Sequence, residues 1–164
     1  MKELLIIRHA KSNWANTHAA DFERSLNDRG NKDAPNMANR LKEKHIQLDA
    51  IISSTANRAL TTASYFANAQ GIKIKDIVCV EALYLAPANE YFKQIELLHQ
   101  HLQTVAIIGH NPGITDFVNT LTTTKIDNMP TCGIFSIKIN LEDWKDFTKA
   151  SKTFWFFESP KLIR

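Results

Sequence analysis

Four short apolar runs in this chain each hand over to a side chain that can do chemistry. Residues 4–7 (LLII) end at Arg8 and His9, and residues 50–53 (AIIS) lead into STANRA, which carries Arg58. Residues 77–80 (IVCV) end at Glu81, and residues 105–108 (VAII) end at Gly109 and His110. Two imidazoles, two guanidiniums and a carboxylate suit transfer of a phosphoryl group. A tetrahedral dianion needs fixed cationic donors, and arginine forks supply them. A neutral imidazole can attack phosphorus and hold the phosphoryl group as a phosphoramidate. A second imidazole, if protonated, can stabilise the equatorial oxygens. A carboxylic acid can protonate a leaving oxygen and afterwards deprotonate water. With the arginines and His110 neutralising charge, the set calls for no metal and no cofactor.

These residues converge only if the runs are strands of one sheet. The runs are short and continuous, and helix-like stretches separate them, as in βαβ units around a mainly parallel sheet covered on both faces. Ligands of such sheets bind beyond the carboxyl ends of the strands, where all five residues would emerge. A helix is expected from Arg58's turn through Ala69, capped by Ser54 or Thr55, and another over residues 89–103 with Ile95, Leu98 and Leu102 on one face. Residues 27–45 also read as helical. Pro35 then requires either a start near Asp33 or a kink. Residues 133–139 and 153–157 read as strands, with Trp144, Trp155 and the FWFF run as packing residues, while Trp14 fits either packing or a pocket mouth.

Taken in order, RHAKSNW, STANRALTTA, EALY and GHNPG resemble the motifs of the histidine phosphatase superfamily, and the RHAKS form resembles its SixA-type branch of small phosphohistidine phosphatases. The resemblance runs from residue 4 to about residue 120, with weaker support from MPTCGIF. It implies a three-layer α/β/α, phosphoglycerate mutase-like fold and a single histidine-phosphatase domain over residues 1–164. It also implies that His9 is the phosphorylated nucleophile, that Arg8, Arg58 and His110 form the phosphate pocket, and that Glu81 is the proton donor. Ser12 and Asn13 fall in a loop that approaches phosphate in the family, and Arg24 adds a positive group at the rim. The broader family has RHG followed by an acid, where this chain has Ala10 and Lys11, and an Asn where it has Ala15. Lys11 therefore adds positive charge that favours strongly anionic or acidic-surfaced substrates.

The expected activity is a metal-independent phosphatase, acting on phosphohistidine of a protein such as a histidine-phosphotransfer domain. The alternatives are a phosphatase for a small phosphorylated metabolite and a catalytically silent module that binds phosphorylated partners. A mutase needs a closed site that keeps water out, and few residues remain to build one. With 164 residues, 44% of them hydrophobic and 23% charged, the chain reads as one globular domain, and its net charge of +3 is spread along the sequence, against nucleic-acid binding. No glycine-rich nucleotide loop occurs, and His99 and His101 lack partners at zinc-ligand spacing. Cys79 and Cys132 sit in apolar runs and are expected to be buried free thiols. The N-terminal apolar run is too short for a signal peptide or membrane span, so a cytoplasmic protein is expected.

Overall fold

The computed structural model describes residues 1–15 and 18–163. Strand β1 (Lys2–Arg8) is followed by helix α1 (Asp28–Glu43), strand β2 (Ala50–Ser54), helix α2 (Asn57–Gln70) and strand β3 (Val78–Val80). Helix α3 (Ala88–Glu96), strand β4 (Thr104–Gly109), helix α4 (Gly113–Val118) and strands β5 (Ile134–Asn140) and β6 (Ser151–Glu158) complete the order. The strands form one sheet in the order β3-β2-β4-β1-β5-β6. β1, β2, β3 and β4 run parallel, β5 lies antiparallel to β1, and β6 lies antiparallel to β5.

Alternation along the central strands explains the layers. Leu5 and Ile7 of β1, with Ala106 and Ile108 of β4, face a core built with Met37 and Leu41 of α1 and Phe66 of α2. Leu4, Ile6, Val105 and Ile107 face the opposite core, with Tyr91 and Ile95 of α3 and Phe117 of α4. Successive residues of a strand point to opposite faces, so a strand covered on both sides reads as an unbroken apolar run. The architecture is the expected three-layer α/β/α fold with a mainly parallel central sheet.

Several local expectations need correction. α1 begins at Asp28, where the Asn27 side chain accepts from the Gly30 N–H at 2.9 Å, and the helix runs on through Pro35. The start near Asp33 does not occur. α2 has Ala56 at its cap with no side-chain hydrogen bond, so neither Ser54 nor Thr55 serves there. α3 stops at Glu96, well short of residue 103. Beyond it, the carbonyl of Leu102 accepts from Lys2 Nζ at 2.7 Å and Trp144 Nε1 at 2.8 Å. Leu98 and Leu102 still pack on the core through this irregular segment. Cys132 is buried as expected, but Cys79 is exposed because β3 is the sheet edge. Among the described residues, no helix is long and apolar enough to cross a membrane.

Candidate active site

β1 and β4 are neighbours in register, with Arg8 opposite Gly109. The residues that follow, His9 and His110, therefore emerge side by side, their ring centroids 5.1 Å apart. The His9 N–H donates to the Gly109 carbonyl at 3.2 Å, and the His110 N–H donates to the Tyr91 hydroxyl at 3.1 Å. Gly109 is required here by close approach: a Cβ at this position would lie 2.0 Å from that hydroxyl. Thr62 of α2 secures the next step of the chain. Its hydroxyl accepts from the Ala10 N–H at 3.0 Å and donates to the Arg58 carbonyl at 2.8 Å.

The His9 ring is held in one tautomer. Nδ1 lies 2.8 Å from the Ala10 carbonyl, which can only accept, so Nδ1 carries the proton. Nε2 keeps its lone pair and accepts from Arg58 Nε at 3.3 Å. Burial pushes the pKa of His9 down to about 3; the Ala10 carbonyl opposes this, while His110, Arg58 and Arg8 add to it. His9 is thus an unprotonated imidazole near neutral pH, as a nucleophile must be. His110 is likewise pushed down to about 3, chiefly by burial and then by the Arg58 charge. It is therefore neutral near pH 7, unlike the protonated group considered from sequence. Its Nε2 meets Ser54 Oγ at 2.7 Å, and Ser54 Oγ also accepts from the Ala56 N–H at 3.2 Å. The Ser54 hydroxyl can then donate to Nε2, which leaves the His110 proton on Nδ1, an atom buried without a partner.

Three guanidiniums converge on the same place. Arg8 Nη1 donates to the Met129 carbonyl at 2.8 Å, while its Nε is buried and unpartnered. Arg58 Nη1 and Nη2 donate to the Asp21 carbonyl at 2.6 Å and to Asp21 Oδ2 at 3.0 Å. Arg24 Nη2 reaches Asp21 Oδ1 at 2.9 Å, and its remaining Nε and Nη1 are buried without partners. Arg24 also stacks on Trp14, 3.5 Å from the ring centroid. Burial lowers the pKa of Arg8 and Arg24, and the neighbouring Arg58 charge lowers both further. Buried cations with free donors are costly unless an anion completes them. Asp21 is the partial substitute. Burial works against its charge, but hydrogen bonds from Tyr84 and Arg58 and the charges of Arg58 and Arg24 hold its carboxyl below the usual carboxylate range.

The resulting cavity is about 210 Å³. Arg8, His9, Lys11, Ser12, Arg24, Arg58 and His110, all nominated from sequence, line it. Two nominated residues do not. Asn13 turns its Oδ1 to the Ala15 N–H at 2.8 Å, closing a local turn. Glu81 is exposed on a 3-10 turn (Glu81–Leu83), and the chain beyond it brings Tyr84 and Leu85 to the cleft instead. Trp14 stands at the mouth rather than in the core. Sequence reasoning missed Asp21, Ser54 and Thr62. Asp21 is three residues before Arg24, a spacing that suits an ion pair on a helical turn, and that was the one available signal.

The fold is that of a phosphoglycerate mutase-like α/β protein, and its cleft gathers three guanidiniums around two imidazoles. Residues 4–81 match the family model of the histidine phosphatase superfamily, branch 1. A solved structure from Agrobacterium tumefaciens, provisionally assigned as the phosphohistidine phosphatase SixA, is 27% identical with a TM-score of 0.81, over 97% of this chain and 98% of that one. The protein histidine phosphatase SixA in complex with tungstate shares the fold, with a TM-score of 0.83 at 20% identity over 99% of both chains. An uncharacterised protein of Mycobacterium leprae is 28% identical over 145 residues, 81% of this chain and 87% of that protein. Over residues 4–81 the chain is similar to the histidine phosphatase superfamily, and it is a phosphohydrolase.

Proposed function

We propose that this phosphatase removes the phosphoryl group from phosphohistidine on a protein, by way of a phosphorylated His9. The observation that carries the choice of substrate is the state of the one carboxyl that lines the cleft among the described residues. Asp21 is held ionised by arginines and Tyr84, so it is a poor proton donor. An ester leaves as an alkoxide and needs a proton on the departing oxygen inside the site. A phosphorylated imidazole needs none there. It takes a proton from solvent on its far ring nitrogen and departs neutral.

The chemistry then closes on the residues present. His9 Nε2 bonds to phosphorus as the substrate P–N bond breaks, while Nδ1 keeps its proton on the Ala10 carbonyl. Arg8, Arg24, Arg58, Lys11 and the Nδ1–H of His110 are the donors for the phosphoryl oxygens, with Ser12 beside them. Water attacks the phosphorus, its proton passes to solvent, and His9 is released as the neutral imidazole from which it started. Charge neutralisation comes from side chains, so this reading involves neither metal nor cofactor. It treats residues 1–164 as one domain working in the cytoplasm, where Cys79 and Cys132 stay reduced.

The test is a histidine-phosphotransfer domain phosphorylated chemically on histidine with labelled phosphate, incubated with the enzyme in excess chelator. Rapid loss of label is expected, with a transient acid-labile label on the enzyme, and His9→Ala should cut the rate by about three orders of magnitude or more. Turnover that survives in His9→Ala would refute the mechanism. Strong activity on small esters with none on the phosphoprotein would shift the substrate to a phosphorylated metabolite. Tight binding without turnover would make the protein a silent binder.

A further inference from the structure

Around the mouth of the cationic cleft stand three large apolar side chains in water: Trp14 at 69% exposure, Leu85 at 51% and Phe22 at 41%. Trp14 and Leu85 border the opening, and Phe22 packs edge-on against Tyr84, whose hydroxyl donates to Asp21 at the same rim. Leu85 is held there against two preferences at once. Its backbone has φ of 49°, the left-handed region that a leucine avoids, and its side chain is left in solvent. A strained backbone that displays an apolar side chain beside a reactive cleft points to a contact made with something outside the chain.

We propose that Trp14, Phe22 and Leu85 form a docking collar for a folded phosphoprotein that presents its phosphohistidine from an apolar patch. This rests on the phosphohistidine reading above and identifies the surface that would select such a substrate. Charge complementarity fixes the centre of the contact. Arg8, Arg24, Arg58 and Lys11 face a single lining carboxylate, so the cleft matches a dianion standing out from the partner's surface. Size fixes the rest. The cavity of about 210 Å³ takes a phosphorylated ring, and a small phosphate ester lodged inside it would leave Phe22 untouched. Only a surface that extends beyond the opening covers all three side chains, and aromatic anchors around a polar centre are the residues that dominate protein contacts.

The experiment compares two substrates, the phosphorylated histidine-phosphotransfer domain and p-nitrophenyl phosphate, in wild type, Leu85→Asn and Phe22→Ser. Asn tolerates the left-handed backbone, so Leu85→Asn removes the apolar group while relieving the conformation. Each variant should lose about tenfold or more in kcat/KM on the phosphoprotein, mainly through KM, and Phe22→Ser should stay within twofold on p-nitrophenyl phosphate. If wild type turns over the phosphoprotein and both variants match it, the collar is refuted and the substrate reading stands. If wild type hydrolyses p-nitrophenyl phosphate but not the phosphoprotein, the substrate reading fails and the collar with it. Self-association of wild type that Leu85→Asn abolishes would give the collar to a second copy of the chain and overturn the proposal.

Discussion

Asp21 competes with substrate for the arginines, and that competition can be measured. Arg58 places both terminal nitrogens on Asp21, at 2.6 Å to its carbonyl and 3.0 Å to Oδ2, and Arg24 adds a contact at 2.9 Å. A phosphate entering between these guanidiniums needs the same N–H groups. The Asp21 side chain is 43% exposed, so solvent screens the pair and its contribution is about 1 kcal/mol rather than several. Asp21→Asn removes the charge but leaves the backbone carbonyl for Arg58 and an amide oxygen for Tyr84 or Arg24. Inorganic phosphate should therefore inhibit the variant about fivefold more tightly, the factor that corresponds to about 1 kcal/mol. The assay is competitive inhibition of p-nitrophenyl phosphate hydrolysis by phosphate at pH 7.5, at low salt and at 1 M salt. The gain should shrink at 1 M, where screening acts over about 3 Å. An unchanged or weaker inhibition constant in Asp21→Asn would refute the competition and show that the carboxylate only organises the arginines.

Three further outcomes follow from the same geometry. His9 and His110 have folded-state pKa values of about 3 against an ordinary 6.5, so the unfolded chain takes up protons first as pH falls. Their contribution to stability is full above pH 6.5 and drains away toward pH 3, by up to about 1.4 kcal/mol per pH unit for each imidazole. Urea midpoints in phosphate-free buffer should fall between pH 7 and pH 4, and a His9→Gln/His110→Gln double variant should show a flatter profile; equal slopes would place the acid sensitivity elsewhere. Glu81→Gln should stay within twofold of wild type on esters with poor and good leaving groups alike, and a loss confined to poor leaving groups would return Glu81 to the role of acid. Ser54→Ala strips the partner from His110 Nε2 and frees its tautomer, so kcat should drop about tenfold, the effect of about 1.4 kcal/mol, with the fold intact by circular dichroism. An unchanged kcat would mean that His110 needs no such fixing.

Chain order and sheet order differ in this protein, and that difference separates what was legible from what was not. Apolar runs revealed β1, β2 and β4 because those strands are covered on both faces, and four parallel strands imply one carboxyl edge. They do not reveal which strands are neighbours. β4, fourth along the chain, inserts between β2 and β1, which sets His110 directly beside His9. β3 is pushed to the outside, three strand spacings from β1, or about 14 Å across the sheet. Arg58 crosses two spacings because α2 starts close to the edge and a guanidinium has a long stem. A glutamate at the end of β3 has no such reach, so Glu81 points into solvent, and Cys79 on the same edge strand is exposed for the same cause. Asp21 left only its spacing from Arg24 as a signal, for a different reason. It lies in a segment without periodicity, and its importance arises only where that segment folds back onto Arg58, Arg24 and Tyr84. Ser54 was legible as a polar residue at a strand end, but its hydroxyl turns sideways to His110 instead of forward to cap α2, a choice made by the neighbouring strand and absent from local sequence. A strand end thus nominates a residue for the site, while sheet order and side-chain length decide whether it arrives.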